Sequence, residues 1–191
     1  MKNKINKIII VLILIILSLF FVKKTFDSIY FIGKKIDNFN NVPVYYNGFT
    51  KNVNGRNLTK DGYNLGLKYQ CVEFVKRYYY EHLNHKMPNS YGHAKDFFKN
   101  DIGDGEMNKE RNLTQYKNPS LVKPKENDLI IFRGSLFNKY GHVAIISKVE
   151  NEKIEIIQQN VFLTTREEYK LIYQNNKWYI DNRSIIGWLR K

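Results

Sequence analysis

The clearest pattern along the chain is a change of period. From Asp128 onward, apolar and polar residues alternate in short runs, DLIIF, HVAIISKV, KIEIIQQ, REEYKLIYQ, KWYID and SIIGWLR, separated by the turn formers NKYG, ENE, QNN and DNR. Alternation of this kind predicts half-buried strands joined in an antiparallel meander. Upstream, YQCVEFVKRYYYEHL (Tyr69 to Leu83) keeps a helical period. Val72, Val75, Tyr79 and Leu83 fall on one face, Phe74 and Tyr78 widen it, and Glu73, Lys76 and Arg77 are expected on the other side. Gly62 and Gly66 mark a loop that feeds this helix, so its start lies close to Cys71. A second short helix is predicted around Ala94 to Phe98, followed by a charged, glycine-containing loop to about Lys125. Helices first and strands afterwards predict an α+β domain, with the Cys71 helix covering an antiparallel sheet.

The N-terminus has a different pattern. Ile8 to Val22 reads IIIVLILIILSLFFV, interrupted only by Ser18 and flanked by lysines. Fifteen helical residues span about 22 Å of a hydrocarbon layer roughly 30 Å thick, so the flanking lysines must snorkel or the span must borrow neighbours. KKTFDS follows without a small-x-small cleavage pattern, which predicts an uncleaved signal anchor. Three lysines and the amino terminus precede the apolar run, against Lys23 and Lys24, partly offset by Asp27, after it. That bias keeps the N-terminus inside and places the remaining domain outside the cytoplasmic membrane. The expected organisation is therefore residues 1–24 as signal anchor, 25–59 as tether and lead-in, and 60–191 as the domain. Within the tether, Val44 to Tyr46 is expected to be a short extended piece after Pro43.

Charge adds a little. Setting aside Lys2, Lys4, Lys7, Lys23 and Lys24 around the apolar run, 26 of the 31 basic residues remain and exceed the 18 acids by eight. Such a surplus draws a domain toward polyanions without choosing among them. There is no Walker loop, C2H2 finger or Arg-rich motif, so no nucleic-acid partner is expected. DIGDGE has acids near a glycine but lacks the alternating oxygen donors and distal glutamate of a calcium loop, and no metal or other cofactor is expected.

Cys71 is the only cysteine, which excludes an internal disulfide and a multi-cysteine metal site. Unpaired N–H groups at a helix start favour thiolate, so Cys71 is a candidate nucleophile with a lowered pKa. The alternative is a small core hydrophobe. Four histidines could serve as its base. His82 and His85 lie toward the far end of the same helix, out of reach, and His93 sits at a helix entry in a capping or surface role. His142 opens the GHVAII strand and shares a face with Ala144 and Ile146. On the next strand Gln158 is in register with Ile154 and Ile156, a polar side chain at the end of a buried face, where its carbonyl could hold the His142 ring or bond to backbone.

QCVEF, GHVAII and IIQQN resemble the CHAP family of cysteine- and histidine-dependent amidohydrolases and peptidases, which have a papain-like fold. NPSLVKPKENDLIIF, TREEYKL and IIGWLRK extend the likeness to the amidase domain of bacterial glutathionylspermidine synthetase/amidases, over about residues 60–191. The resemblance implies Cys71 as nucleophile, His142 as general base and Gln158 as the third member. The family usually has glutamate there, and a neutral amide orients imidazole without stabilising imidazolium. Gln70 and the backbone N–H of Cys71 are then candidate oxyanion donors. The implied enzyme is a monomeric amide hydrolase acting through a thioester. Its substrate is a peptidoglycan peptide, or alternatively a glutathionylspermidine-like amide. No ATP-binding region accompanies it, so no synthetase half is expected. A non-catalytic wall-binding or interaction module is the competing reading.

Overall fold

The computed structural model describes residues 2–191. Helix α1 (Lys2–Ile29) carries the apolar run for 28 residues, about 42 Å, and its spanning stretch, Lys4–Ile29, has a mean hydropathy of 2.9 with none of it buried against the rest of the chain. Among the described residues it is the one helix long and apolar enough to cross a membrane.

Two small hairpins follow: β1 (Lys35–Phe39) with β2 (Val42–Tyr45), and β3 (Arg56–Leu58) with β4 (Asn64–Leu67). They lead into α2 (Cys71–Glu81) and a single 3-10 turn (Ala94–Phe97). The stretch expected to be a tether is therefore folded. Val42 and Val44 are buried in the core with Phe74, Val75 and Tyr78 of α2. The extended piece expected at Val44 to Tyr46 is the end of β2, one residue out of step.

The rest is one eight-stranded antiparallel sheet: β5 (Glu106–Asn108), β6 (Leu113–Lys117), β7 (Leu129–Phe132), β8 (His142–Val149), β9 (Lys153–Ile157), β10 (Arg166–Gln174), β11 (Lys177–Ile180) and β12 (Ile185–Arg190). Its order is β11-β10-β9-β8-β7-β12-β6-β5. The meander expected from alternation runs from β7 to β11. β12 then crosses back to pair with β7, and β5 and β6 emerge from the stretch expected to be a charged loop.

Period two divides the sheet's residues between two cores. Leu129, Ile131, Val143, Ile145, Ile157 and Leu189 pack with α2. Ile130, Phe132, Ala144, Ile146, Ile154, Ile156 and Trp188 form the core of the other face.

The polar face expected on α2 is not in solvent. Glu73, Lys76 and Arg77 are 2%, 1% and 5% exposed, because β2 and β4 close over that side. Each has found partners, as buried charges must. Arg77 donates to Glu73 at 2.6 Å and to the Pro43 carbonyl, Glu73 also accepts from Asn57, and Lys76 donates to the carbonyls of Asn64 and Ser90. Burial, with Arg111 and Arg56 nearby, lowers the Lys76 pKa to about 7. Gly66, at φ +127°, makes the approach of β4 possible: a Cβ there would lie 3.3 Å from the backbone of Glu73.

Candidate active site

Cys71 is the first residue of α2, presented by a sharp turn in which Tyr69 takes φ +66°. A bulky side chain rarely occupies that region, and local strain of this kind is held in place by its surroundings. The Tyr69 ring packs edge-on against Tyr45, and its hydroxyl end closes on Gly33.

The thiol is buried, 8% exposed. Burial pushes its pKa up, against the opposing pull of backbone N–H groups from Val143, Val72 and Cys71 itself. This corrects the expectation from the helix start. The first-turn N–H groups are present as foreseen, but desolvation of the anion outweighs them.

The N–H of Val143 faces the sulfur because of how the sheet opens. β8 and β9 pair as far as Ile145 and Ile157, and beyond that Gln158 turns its N–H to the Thr165 carbonyl at 2.8 Å. The N–H of Val143 is thus off the ladder and available to Cys71. The sulfur sits at this opening, one residue along from His142.

His142 pairs with Phe132 of β7, and its ring lies 5.6 Å from the Phe132 ring, on the sheet face of Ala144 and Ile146. α2 covers the opposite face, with Val143 and Ile145. The helix therefore does not lie over the histidine. It meets the strand from the other side and delivers the sulfur at the strand's end.

The ring is fixed through one nitrogen: His142 Nε2 lies 2.9 Å from Gln158 Oε1. Burial lowers the His142 pKa to about 4, although the bond to Gln158 and the charge of Glu167 both pull it upward. With the thiol pushed up and the imidazole pushed down, neither Cys71 nor His142 carries a charge near pH 7.

The remaining candidates separate. Gln70 caps α2, but its Nε2 donates to the carbonyls of Thr50 and Asn52, at 3.2 and 2.7 Å, and its Oε1 accepts from Asn160 at 2.6 Å. Both amide hydrogens are committed to the lead-in loop, which argues against an open oxyanion donor. His82 follows the last turn of α2, and His85 is buried against the Arg111 carbonyl. His93 caps the 3-10 turn, its ring 4.5 Å from that of Tyr140. Glu155 is engaged by Arg166 and Ser147, each at 2.7 Å.

Two residues that sequence reasoning passed over hold the parts together. Gln159, 1% exposed, donates to the Gln70 carbonyl and to Glu73 and accepts the Tyr45 N–H, so it ties the segment after β9 to the start of α2. Glu167 on β10 lies behind Gln158: Gln158 Nε2 donates to Glu167 Oε2 at 3.2 Å, and Tyr169 donates to the same oxygen at 2.8 Å. The run of three amides at 158–160 was the available signal for the first; nothing in the local pattern marks the second.

The chain is similar in sequence to known proteins. A family model described as the CHAP domain matches residues 60–160, over half of the chain. Trypanothione synthetase of Crithidia fasciculata is 29% identical over 160 residues, covering 78% of this chain and 24% of that protein. The bifunctional glutathionylspermidine synthetase/amidase of Escherichia coli is 28% identical over 152 residues, 70% of this chain and 23% of that one. Endolysin PlyTW of Staphylococcus phage Twort is 28% identical over 96 residues, 48% and 19% respectively. The chain thus matches about a quarter or less of the length of each of these relatives.

Proposed function

This chain belongs to the CHAP domain family, and from that premise we propose that it is an amide hydrolase in which Cys71 is the nucleophile, His142 the general base and Gln158 the group that orients the base. The observation that carries this is the site's wiring. Gln158 holds His142 Nε2 at 2.9 Å, while the sulfur rests against the N–H of the next residue, Val143. With Nε2 donating to the Gln158 carbonyl, Nδ1 keeps its lone pair for the thiol proton.

As the sulfur attacks a carbonyl, Nδ1 takes the proton and later gives it to the leaving amine, which frees a thioester. Water deprotonated by His142 then releases the acid. The backbone N–H of Cys71 at the start of α2 is the oxyanion donor in this scheme, since Gln70 is committed elsewhere.

The substrate we favour is a peptidoglycan peptide. An apolar helix of 28 residues with a basic N-terminal flank is consistent with a single-pass anchor that keeps residues 60–191 outside the membrane, with 25–59 folded onto them. The name of the Twort relative, an endolysin, fits a substrate in the wall. A glutathionylspermidine-type amide is the second reading, supported by the E. coli relative, whose match extends over 70% of this chain.

The test uses the full chain in detergent on purified peptidoglycan and on glutathionylspermidine, with new amine termini as readout. Cys71→Ala and His142→Ala are each expected to lose at least a hundredfold in rate. Turnover that survives Cys71→Ala overturns the mechanism. Inactivity on both substrates, with slow alkylation of Cys71 that ignores His142→Ala, favours a non-catalytic binding module.

A further inference from the structure

The sheet face that carries His142 continues past Gln158. Register places Glu167 opposite Ile156 and Tyr169 opposite Ile154, so both share the face of Ala144 and Gln158. Four side chains, on β8, just past the end of β9, and on β10, then form one string: His142 Nε2 to Gln158 Oε1 at 2.9 Å, Gln158 Nε2 to Glu167 Oε2 at 3.2 Å, and Tyr169 hydroxyl to the same Glu167 oxygen at 2.8 Å. No ion pair among the described residues takes up Glu167. Its strand neighbours Arg166 and Glu168 pair with Asp37, Glu155 and Lys153 on other elements.

A glutamine beside histidine is ambiguous by itself. Turned one way, its carbonyl accepts from Nε2–H and leaves a lone pair on Nδ1. Turned the other way, its NH2 donates to Nε2, which puts the proton on Nδ1 and removes the base. An ionised carboxylate only accepts, so a carboxylate behind the glutamine permits one orientation.

We propose that Glu167 is a positioning residue for His142: through Gln158 it fixes the imidazole as the Nε2–H tautomer and places, one side chain further out, the negative charge that position 158 lacks. This rests on the assignment of Cys71 and His142 as nucleophile and base. Tyr169 donates to the same carboxylate oxygen as Gln158, and the Phe132 ring packs against the imidazole from β7. Among the charged groups, Glu167 is the one whose field acts on His142.

The full chain in detergent provides the test, with Glu167→Gln, Glu167→Ala and the swap Gln158→Glu/Glu167→Gln. The readouts are turnover, the alkylation rate of Cys71 by chloroacetamide as a function of pH, and the tautomer of 15N-labelled histidine by NMR. The wild-type protein is expected to hold His142 as Nε2–H. Glu167→Gln and Glu167→Ala should show a mixed tautomer and lose roughly tenfold in both kcat and alkylation rate, with KM within about twofold. The swap, which returns a carboxylate directly to the imidazole, should restore the rate.

Retention of rate within twofold by Glu167→Gln, with the tautomer unchanged, overturns the proposal, and so does a swap variant as slow as Glu167→Gln. His142→Ala keeps the two levels apart. If it leaves alkylation unchanged, the nucleophile–base assignment itself fails. If it slows alkylation while Glu167→Gln does not, only Glu167 is dismissed.

Discussion

Gln158→Glu installs the acid that CHAP domains usually carry at this position, and it is expected not to accelerate the enzyme. Two charge terms decide this. A carboxylate 2.9 Å from the imidazolium formed during turnover gains about 6 kcal/mol at an effective dielectric of about 20. The same carboxylate, 3.2 Å from Glu167, is opposed by about 5 kcal/mol on the same basis, and the hydrogen bond that Gln158 donates to Glu167 is lost as well. Glu167 is exposed, and solvent reaching that end of the string screens both terms, to about 1–2 kcal/mol each. The attraction and the repulsion nearly cancel. The two carboxylates then share a proton, with one pKa raised above the usual range. A raised carboxyl pKa in the folded state means stability falls as pH rises through it. Thermal unfolding of wild-type and Gln158→Glu protein at pH 5 and pH 8 is therefore expected to show a deficit for the variant mainly at pH 8. Turnover should stay within about threefold of wild type. A variant that is several-fold faster and as stable as wild type at pH 8 would refute the reasoning, because Glu167 would then exert no field at position 158.

Three further outcomes follow from particular side chains. His142 holds a pKa near 4 against an ordinary 6.5, so the unfolded chain binds more protons between those values and stability should fall as pH drops from 6.5 to 4, by at most about 3 kcal/mol; denaturation of His142→Ala should lack that slope. Arg77→Met strands the Glu73 carboxylate, 2% exposed, with only amide donors, and urea unfolding should register a loss of about 3–5 kcal/mol. Gly187→Ala drives a Cβ into the Tyr116 carbonyl and to 2.6 Å from the Phe98 ring, where β12 joins β6, and should lower the melting temperature by more than a surface substitution does, or prevent folding.

The strands from β7 to β12 were legible because each buries alternate residues on a defined face, and α2 because its apolar positions repeat at three and four. The same register brought His142 and Gln158 onto one face. What was not legible depends on neighbours distant in sequence. Glu73, Lys76 and Arg77 look like a solvated face until β2 and β4 close over them, where Asn57, Gln159 and the carbonyls of Pro43, Asn64 and Ser90 satisfy the buried charges. β5 and β6 are short, polar runs whose pairing is dictated by β12 rather than by their own pattern. The thiol pKa went the other way because the local cue, a helix N-terminus, competes with a tertiary one, burial, and the second is invisible along the chain.

Burial decides both the fate of the charged α2 face and the direction of the thiol pKa, and it has one consequence for the site. Burial raises the thiol and lowers the imidazole, so in the mechanism we propose the resting pair carries no charge, and Gln158, the side chain proposed to orient the base, is neutral too. On that proposal, charge separation is deferred until a carbonyl is in place to receive the sulfur, and the imidazolium formed at that moment has its nearest negative charge beyond Gln158, on Glu167. A site built this way should react slowly with small alkylating agents at neutral pH, since thiolate is scarce, and should respond to substrate more than to pH down to about 5, because the base stays unprotonated until near pH 4. A preformed thiolate–imidazolium pair would behave in the opposite way. Alkylation would already be fast at pH 6, and would lose its rate only where the thiolate itself is protonated. The shape of the chloroacetamide profile between pH 5 and pH 9, rising steadily in the first case and flat in the second, separates the two.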